Sequence, residues 1–141
     1  MCCWLERYPS PKLTQPYINC GLSNIDIFTG KSHLFEFQRE NLHQPTTFDE
    51  IERFYSIYYP SEIILITKNY TEKEIDEIIQ FAGIQCGNIH RISLDKKDTP
   101  FQTEVKNCEK QTYQEELFQR FFKIKDYSNI LQRLHYKHHR Y

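Results

Sequence analysis

A chain of 141 residues is long enough for one domain, and its formal net charge of −1 gives no bulk-charge support for nucleic-acid binding. The five cysteines stand at irregular spacings with no CxxC pair, which excludes a zinc ribbon and a thioredoxin-like motif, and we expect reduced thiols in a cytosol-like compartment. The sequence has neither an apolar run of about 18 residues nor a signal-peptide core, so we expect an intracellular protein with no membrane segment.

The N-terminal third is predicted to contain a lead-in and a hairpin. Residues 1–18 carry three prolines and are expected to be an irregular lead-in. Residues 19–37 read as two strands joined by a tight turn at Thr29-Gly30, with Asp26 as the acidic residue of an otherwise apolar first strand. Residues 38–46 are predicted to be a polar loop.

A helix and a buried strand follow. The spacing of Thr47 and Glu50 is that of a capping box, which predicts a helix over 47–59 with one apolar face, ended by Pro60. The continuous apolar run at 63–67 is typical of a strand that is covered on both faces of its sheet.

A second capping box, at Thr71 and Glu74, predicts another helix, with Gly83 as its C-terminal cap. The apolar positions of 88–94 predict a further strand. Because a helix links this strand to the one at 63–67, the two are expected to be parallel with a right-handed crossover.

The last predicted helix follows a loop at 95–103. It opens at a third capping box, Thr112 and Glu115. Its expected buried residues are Leu117, Phe118, Phe121 and Phe122. The whole order predicts an α/β fold of the RNase H-like class, in which a mixed sheet, an opening antiparallel hairpin plus parallel strands, is flanked by helices.

Asp26 is the first candidate for chemistry, because a first-strand carboxylate in an RNase H-like nuclease binds Mg²⁺ together with further carboxylates. Candidate companions are Glu50, Glu62, Asp95 and Asp98. Glu50 is better explained as a capping residue, and the others stand at a strand entrance or in a polar loop. We therefore predict that Asp26 is structural and bonded near the hairpin turn. The alternative is a metal-dependent nuclease or resolvase that uses Asp26 as a ligand.

The basic, histidine-rich tail at 125–141 is the second candidate. Its histidines have a loose metal-ligand spacing: His135, His138 and His139. A solvated tail is the favoured interpretation, and the alternative is contact with DNA phosphates through Arg133, Lys137 and Arg140. The sequence has no GxxxxGK[ST], GxGxxG or GxSxG motif, so no ATP site, cofactor site or nucleophile elbow is predicted.

Three segments resemble a known family. The segment GLSNIDIFTGKSHLFEF resembles the opening hairpin of the connector domain (domain II) of MutS mismatch-repair proteins, whose form is G-φ-x-x-φ-D-φ-x-T-G-x with φ apolar. The segment TFDEIERFYSIYYPSEIILI resembles the helix–Pro–strand segment that follows. The segment NCEKQTYQEELFQRFF is similar to the branch of MutS found in large DNA viruses and octocoral mitochondria.

The resemblance implies a connector domain over 19–124. The parent protein would bind mismatched DNA and would need ATP and Mg²⁺, whereas this domain would link the mismatch-binding and ATPase regions without being an enzyme itself. The implied partners are the remaining MutS domains, another MutS subunit or a downstream repair protein, with weak or no direct DNA binding. In this family the Asp that matches Asp26 is not a nuclease residue. Because the other domains are missing from the sequence, we expect a fragment or relic of such a protein. The acidic helix faces at 47–59 and 71–83 are the candidate partner surface.

Overall fold

The computed structural model describes residues 1–9, 15–97 and 101–122, with side chains as far as residue 120. The chain divides into two compact units, Met1–Lys96 and Lys97–Tyr141. The first unit contains the sheet and two helices, and the second contains two further helices. The predicted tail contacts Arg133, Lys137 and Arg140 lie outside the described residues.

The first unit contains a five-stranded mixed sheet. Its strands are β1 (Cys2–Tyr8), β2 (Tyr17–Ile25), β3 (Ser32–Glu40), β4 (Ile63–Lys68) and β5 (Ile89–Ser93), in the order β3-β2-β1-β4-β5. Strand β2 is antiparallel to β1 and β3, whereas β4 is parallel to β1 and β5. The predicted fold class is therefore confirmed: an opening antiparallel hairpin is combined with parallel strands in an α/β unit.

The prediction of an irregular lead-in over 1–18 was wrong for residues 2–8. These residues form β1, the central strand, which pairs with β2 on one side and β4 on the other. Four consecutive residues of β1 are buried, as expected for a strand in the middle of a sheet. The prolines that suggested irregularity all follow Tyr8. Every residue of β1 therefore keeps the N–H group that strand pairing requires.

The helices α1 (Asp49–Tyr58) and α2 (Glu72–Phe81) pack on one face of the sheet. This face of the strands contributes Cys3, Leu5, Ile18, Cys20, Leu22 and Leu65 to the core. The helices contribute Ile51, Phe54, Ile75 and Ile78, and Phe48 is fully buried beside them. Burial of each large apolar side chain contributes roughly 1.5–3 kcal/mol, which makes this layer the main source of stability of the unit.

The capping box predicted at Thr47 and Glu50 was wrong. The segment Pro45–Phe48 forms a 3₁₀ turn, so Thr47 already lies inside helical structure when α1 begins, and α1 has no side-chain cap. Glu50 instead contacts Arg39 and Arg53, at 3.8 and 3.5 Å. Proline opens the turn because its fixed φ suits a first helical position and its missing N–H is not needed there.

The capping box at Thr71 and Glu74 is confirmed. The Glu74 N–H donates to Thr71 Oγ1 at 3.3 Å, and the Thr71 N–H donates to Glu74 Oε2 at 2.8 Å. Gly83 follows the helix with φ +59°, the left-handed conformation that favours glycine, so its predicted role at the C-terminus is also confirmed. The strands on either side of α2 are parallel, as predicted.

The second unit contains α3 (Gln102–Cys108) and α4 (Gln111–Phe122). The sequence did not predict α3, which begins within the segment expected to be a loop. Because α4 begins before Thr112, this residue is not its N-cap, and Glu115 accepts a hydrogen bond from Gln111 Nε2 at 3.1 Å. Leu117 was expected to be buried but is 38% exposed. Across the described part of the chain, we find no helix with the length and apolarity that crossing a membrane requires.

Candidate functional site

The hairpin turn is built around the Asp26 carboxylate. Oδ1 accepts from the Phe28 and Thr29 N–H groups at 2.9 and 3.3 Å, and Oδ2 accepts from Thr29 Oγ1 at 2.8 Å. Across the turn, the Gly30 N–H donates to the Asp26 carbonyl at 2.8 Å. The Thr29 hydroxyl, followed by the two backbone N–H groups, lowers the pKa of Asp26, because these donors bind the ionised form better.

Asp26 lies one residue after β2, in the turn, and not inside a strand as the sequence suggested. It is also not on the first strand of the sheet, which is β1. The acidic residue of β1 is Glu6, which is 5% exposed and lies 3.5 Å from Lys68 Nζ. Sequence reasoning missed Glu6, since it treated the whole segment before β2 as irregular.

The four proposed companions of Asp26 are used in different places. Glu62 contacts the His90 ring at 2.7 Å, and Asp95 accepts a hydrogen bond from the Asn69 N–H at 2.6 Å. Glu50 contacts two arginines, as described above, and Asp98 lies outside the described residues. Of the three companions that the structure describes, only Glu62 lines a surface groove that Asp26 also lines. Where the structure describes the chain, no three His, Cys, Asp or Glu side chains are grouped to hold a metal ion.

The carboxyl end of β1 holds a cluster of paired charges. The Arg7 guanidinium donates to both carboxylate oxygens of Glu74, at 2.5 and 3.3 Å, and lies 4.7 Å from the centroid of the Tyr70 ring. Burial would raise the pKa of Glu74, but the bonds from Arg7 and Thr71 outweigh it and lower the pKa to about 2. This ion pair fastens the first turn of α2 to the central strand.

Tyr70 is a buried residue beside this cluster. Its hydroxyl has no hydrogen-bond partner within the described part of the chain, and burial raises its pKa well above the usual value. The Glu6–Lys68 pair lies at the same ends of the strands. The carboxylates of Glu6 and Glu74 are therefore already paired with Lys68 and Arg7. A site for divalent ions would need several carboxylates grouped together without such partners.

An open groove lies beside the hairpin turn, at the ends of the strands opposite to the charged cluster. Because β2 runs antiparallel to β1, the turn comes next to the beginnings of β1 and β4. The groove has a volume of about 680 Å³, and its two main walls are the segments 23–28 and 57–62. Phe28 is 94% exposed and Ile27 is 83% exposed, so the turn presents apolar side chains to solvent.

Tyr59 stands at the end of α1 on the second wall of this groove. Its φ is +41°, in the left-handed region, and its N–H donates to the Tyr55 carbonyl at 2.8 Å. Its ring lies 5.6 Å from that of Tyr55, measured between centroids, and the residue is 72% exposed. Sequence reasoning used Pro60 as a helix stop but gave no role to the residue before it.

The acidic helix faces that the sequence suggested as a partner surface are partly neutralised. On α2, Asp76 contacts Arg91 at 2.7 Å, Glu72 contacts Lys96, and Glu77 contacts the His43 ring at 2.5 Å. On α2 the surface is therefore a network of mixed charge rather than an acidic patch. Exposed pairs of this kind contribute little to stability individually.

The five cysteines are free thiols. Cys3 and Cys20 are fully buried, with 3.9 Å between their sulfur atoms. Burial, and after it the hydrogen bond with Cys3, raises the pKa of Cys20, and burial also raises the pKa of Cys108. A raised pKa disfavours the reactive thiolate, so neither Cys20 nor Cys108 has the electrostatic setting of a nucleophile.

Comparison with known proteins shows no family for this chain. No family model, curated protein or solved structure gives a significant match.

Proposed function

We propose that this chain is the connector-type domain of a MutS-like mismatch-repair protein and that it acts through protein contacts, without chemistry of its own. The observation that carries the proposal is the hairpin turn. The Asp26 carboxylate is occupied by the turn itself, while the same turn presents Ile27 and Phe28 to solvent.

The motif behind the resemblance has a structural explanation. In the D-φ-x-T-G stretch, Asp26 accepts from the turn N–H groups and from Thr29, while Gly30 adopts φ +69°, which a side chain would disfavour. Each defining polar or glycine position therefore builds the turn. A motif with this role supports a shared turn structure rather than a catalytic centre.

No observation favours the alternative of a metal-dependent nuclease. Asp26 lies in the hairpin turn, whereas Glu6, Glu74 and Asp95 lie at the opposite ends of the strands. Glu6 and Glu74 have Lys68 and Arg7 as close cationic partners. A bound divalent ion would have to displace these cations.

The proposal assigns mismatched DNA, ATP and Mg²⁺ to the parent protein. Within that protein, this domain would join the mismatch-binding and ATPase regions in an intracellular compartment. Its partners would be those regions, another MutS subunit or a downstream repair protein. The phosphate contacts suggested for Arg133, Lys137 and Arg140 remain predictions, and we expect weak or no direct DNA binding.

A domain replacement tests the proposal. The connector of a MutS protein is exchanged for this chain, and mismatch-stimulated ATP hydrolysis is measured. We expect the chimaera to retain stimulation by mismatched over paired DNA, whereas an unrelated α/β domain of the same length abolishes it. Equal loss in both chimaeras, with the basal ATPase rate intact, would contradict the proposal.

A further inference from the structure

Apolar side chains are concentrated at the groove beside the hairpin turn. Of the twelve large hydrophobic residues exposed within the described ranges, six line this groove. They are Ile25, Ile27, Phe28, Ile57, Tyr59 and Ile64. Single exposed apolar residues are ordinary on a protein surface, but a contiguous set on two facing walls marks an interaction site.

Tyr59 adds an independent observation. A left-handed φ of +41° disfavours a tyrosine relative to glycine, because the Cβ atom crowds the backbone. The ring gains little in return within the unit, since the residue is 72% exposed. Stability alone would favour glycine at this helix end, as at Gly83 after α2. A strained residue with an exposed ring is therefore expected to serve a contact outside the unit.

The charges at the groove nearly cancel. Asp26 lies near Lys31, whose charge helps to lower the pKa of that carboxyl. On the other wall, the Glu62 carboxylate contacts the His90 ring at 2.7 Å. Since each of these carboxylates has a close polar or basic partner, the groove has no strong field to attract a nucleic acid or a highly charged peptide.

A partner is expected to bind in the groove through side-chain contacts rather than by strand pairing. Most of the lining comes from the turn after β2 and from the segment 57–62, and most of the strand residues in it belong to β1, β2 and β4, which are paired on both sides. A partner therefore cannot dock here by extending the sheet along these strands, since their N–H and C=O groups are already used. The apolar face of a helix, laid between these two apolar walls, would bury their side chains without placing a strong charge in the groove.

We propose that this groove binds the apolar face of an amphipathic helix from a partner protein, with Phe28 and Tyr59 as the main anchors. The inference rests on the proposed function and deepens it, because it gives the connector a defined partner surface. That surface lies at the turn edge of the sheet and not on the acidic helix faces suggested by the sequence.

A phage-displayed library of helical peptides, randomised along one face, is the probe. It is selected against the full chain, and one enriched peptide is synthesised and titrated by fluorescence anisotropy. We expect enriched peptides to carry apolar residues at i, i+3 or i+4 and i+7, without a consensus charge on that face. Phe28→Ser and Tyr59→Gly should each weaken binding by about tenfold or more, as substitutions of aromatic anchors do.

Leu42→Ser is the matched control, since Leu42 is 50% exposed but does not line the groove. Its affinity should stay within about twofold of that of the parent chain. The Tyr59→Gly variant should also have a higher urea midpoint, which would show that lost binding is not lost folding. A role in holding the unit together would lower the midpoint instead.

Several results would overturn the inference. They are the absence of any enriched helical peptide, a charged consensus on the bound face, equal effects of Phe28→Ser and Leu42→Ser, and preferential binding of single- or double-stranded DNA at the groove. Self-association that Phe28→Ser abolishes would assign the groove to a second copy. A chimaera that keeps mismatch stimulation while peptide selection fails would reject the groove alone. A failed chimaera with successful selection would reject the connector assignment alone.

Discussion

The ion pair between Arg7 and Glu74 is expected to stabilise the fold, because it joins α2 to the central strand. Glu74→Gln keeps a carbonyl oxygen for the Thr71 N–H but removes the charge that faces the Arg7 guanidinium. The pKa of Glu74 falls from its ordinary value of 4.5 to about 2. At about 1.4 kcal/mol per pH unit, this fall corresponds to about 3 kcal/mol of folding free energy as an upper bound.

Solvent reduces that bound. The side chains of Arg7 and Glu74 are 25% and 23% exposed, so water screens part of the attraction. We expect Glu74→Gln to lower the free energy of unfolding by roughly 1–2 kcal/mol at pH 7. The control is Glu72→Gln, which removes a more exposed carboxylate, 53% exposed, from the same helix. Its cost should stay below about 0.5 kcal/mol.

The contribution of Glu74 to the free energy of unfolding should depend on pH in a defined direction. The folded-state pKa of Glu74 is depressed, so its stabilising contribution is complete above the unfolded value of 4.5 and is lost as the pH falls towards about 2. Urea unfolding of the parent chain and the Glu74→Gln variant should therefore differ most above about pH 5 and converge near pH 2. A difference that does not change with pH, or none at pH 7, would refute this account of how α2 is held.

Two further substitutions test local features of the structure. Thr47→Val should leave the free energy of unfolding, measured with urea, unchanged or raise it by up to about 1 kcal/mol, because the buried Thr47 hydroxyl has no hydrogen-bond partner in the described structure. If Thr47 were a functioning helix cap, the substitution would instead lower that free energy by about 1 kcal/mol. Tyr59→Gly should raise the free energy of unfolding by about 1 kcal/mol through relief of its left-handed φ, and a lower value would show that the ring supports the fold.

Periodicity and capping chemistry predicted much of the first unit. The Thr71 box fixed the beginning of α2, and the continuous apolar run identified β4. Strand β1 escaped because CCWLERY does not alternate between apolar and polar residues, and three prolines follow it. Helix α3 escaped because it has only seven residues and no side-chain cap, and so carries little local signal.

The candidate site was only partly legible from the sequence. The sequence predicted a turn at Thr29-Gly30 and a structural Asp26 bonded near it, and the structure places the Asp26 carboxylate within hydrogen-bonding distance of Thr29. The groove could not be predicted, since 23–33 and 57–64 meet there only once the sheet has formed. The value of Tyr59 to that site depends on its φ, which the sequence does not reveal.

The most direct test of the central claim, that this domain works by contact and not by metal chemistry, is a Mg²⁺ titration followed by NMR. The parent chain is compared with Asp26→Asn, which keeps an oxygen for the turn N–H groups. We predict no saturable shift at Asp26 or its neighbours and the same overall spectrum in both proteins. Saturable, site-specific shifts in the parent chain that disappear in Asp26→Asn would contradict the claim and favour a nuclease.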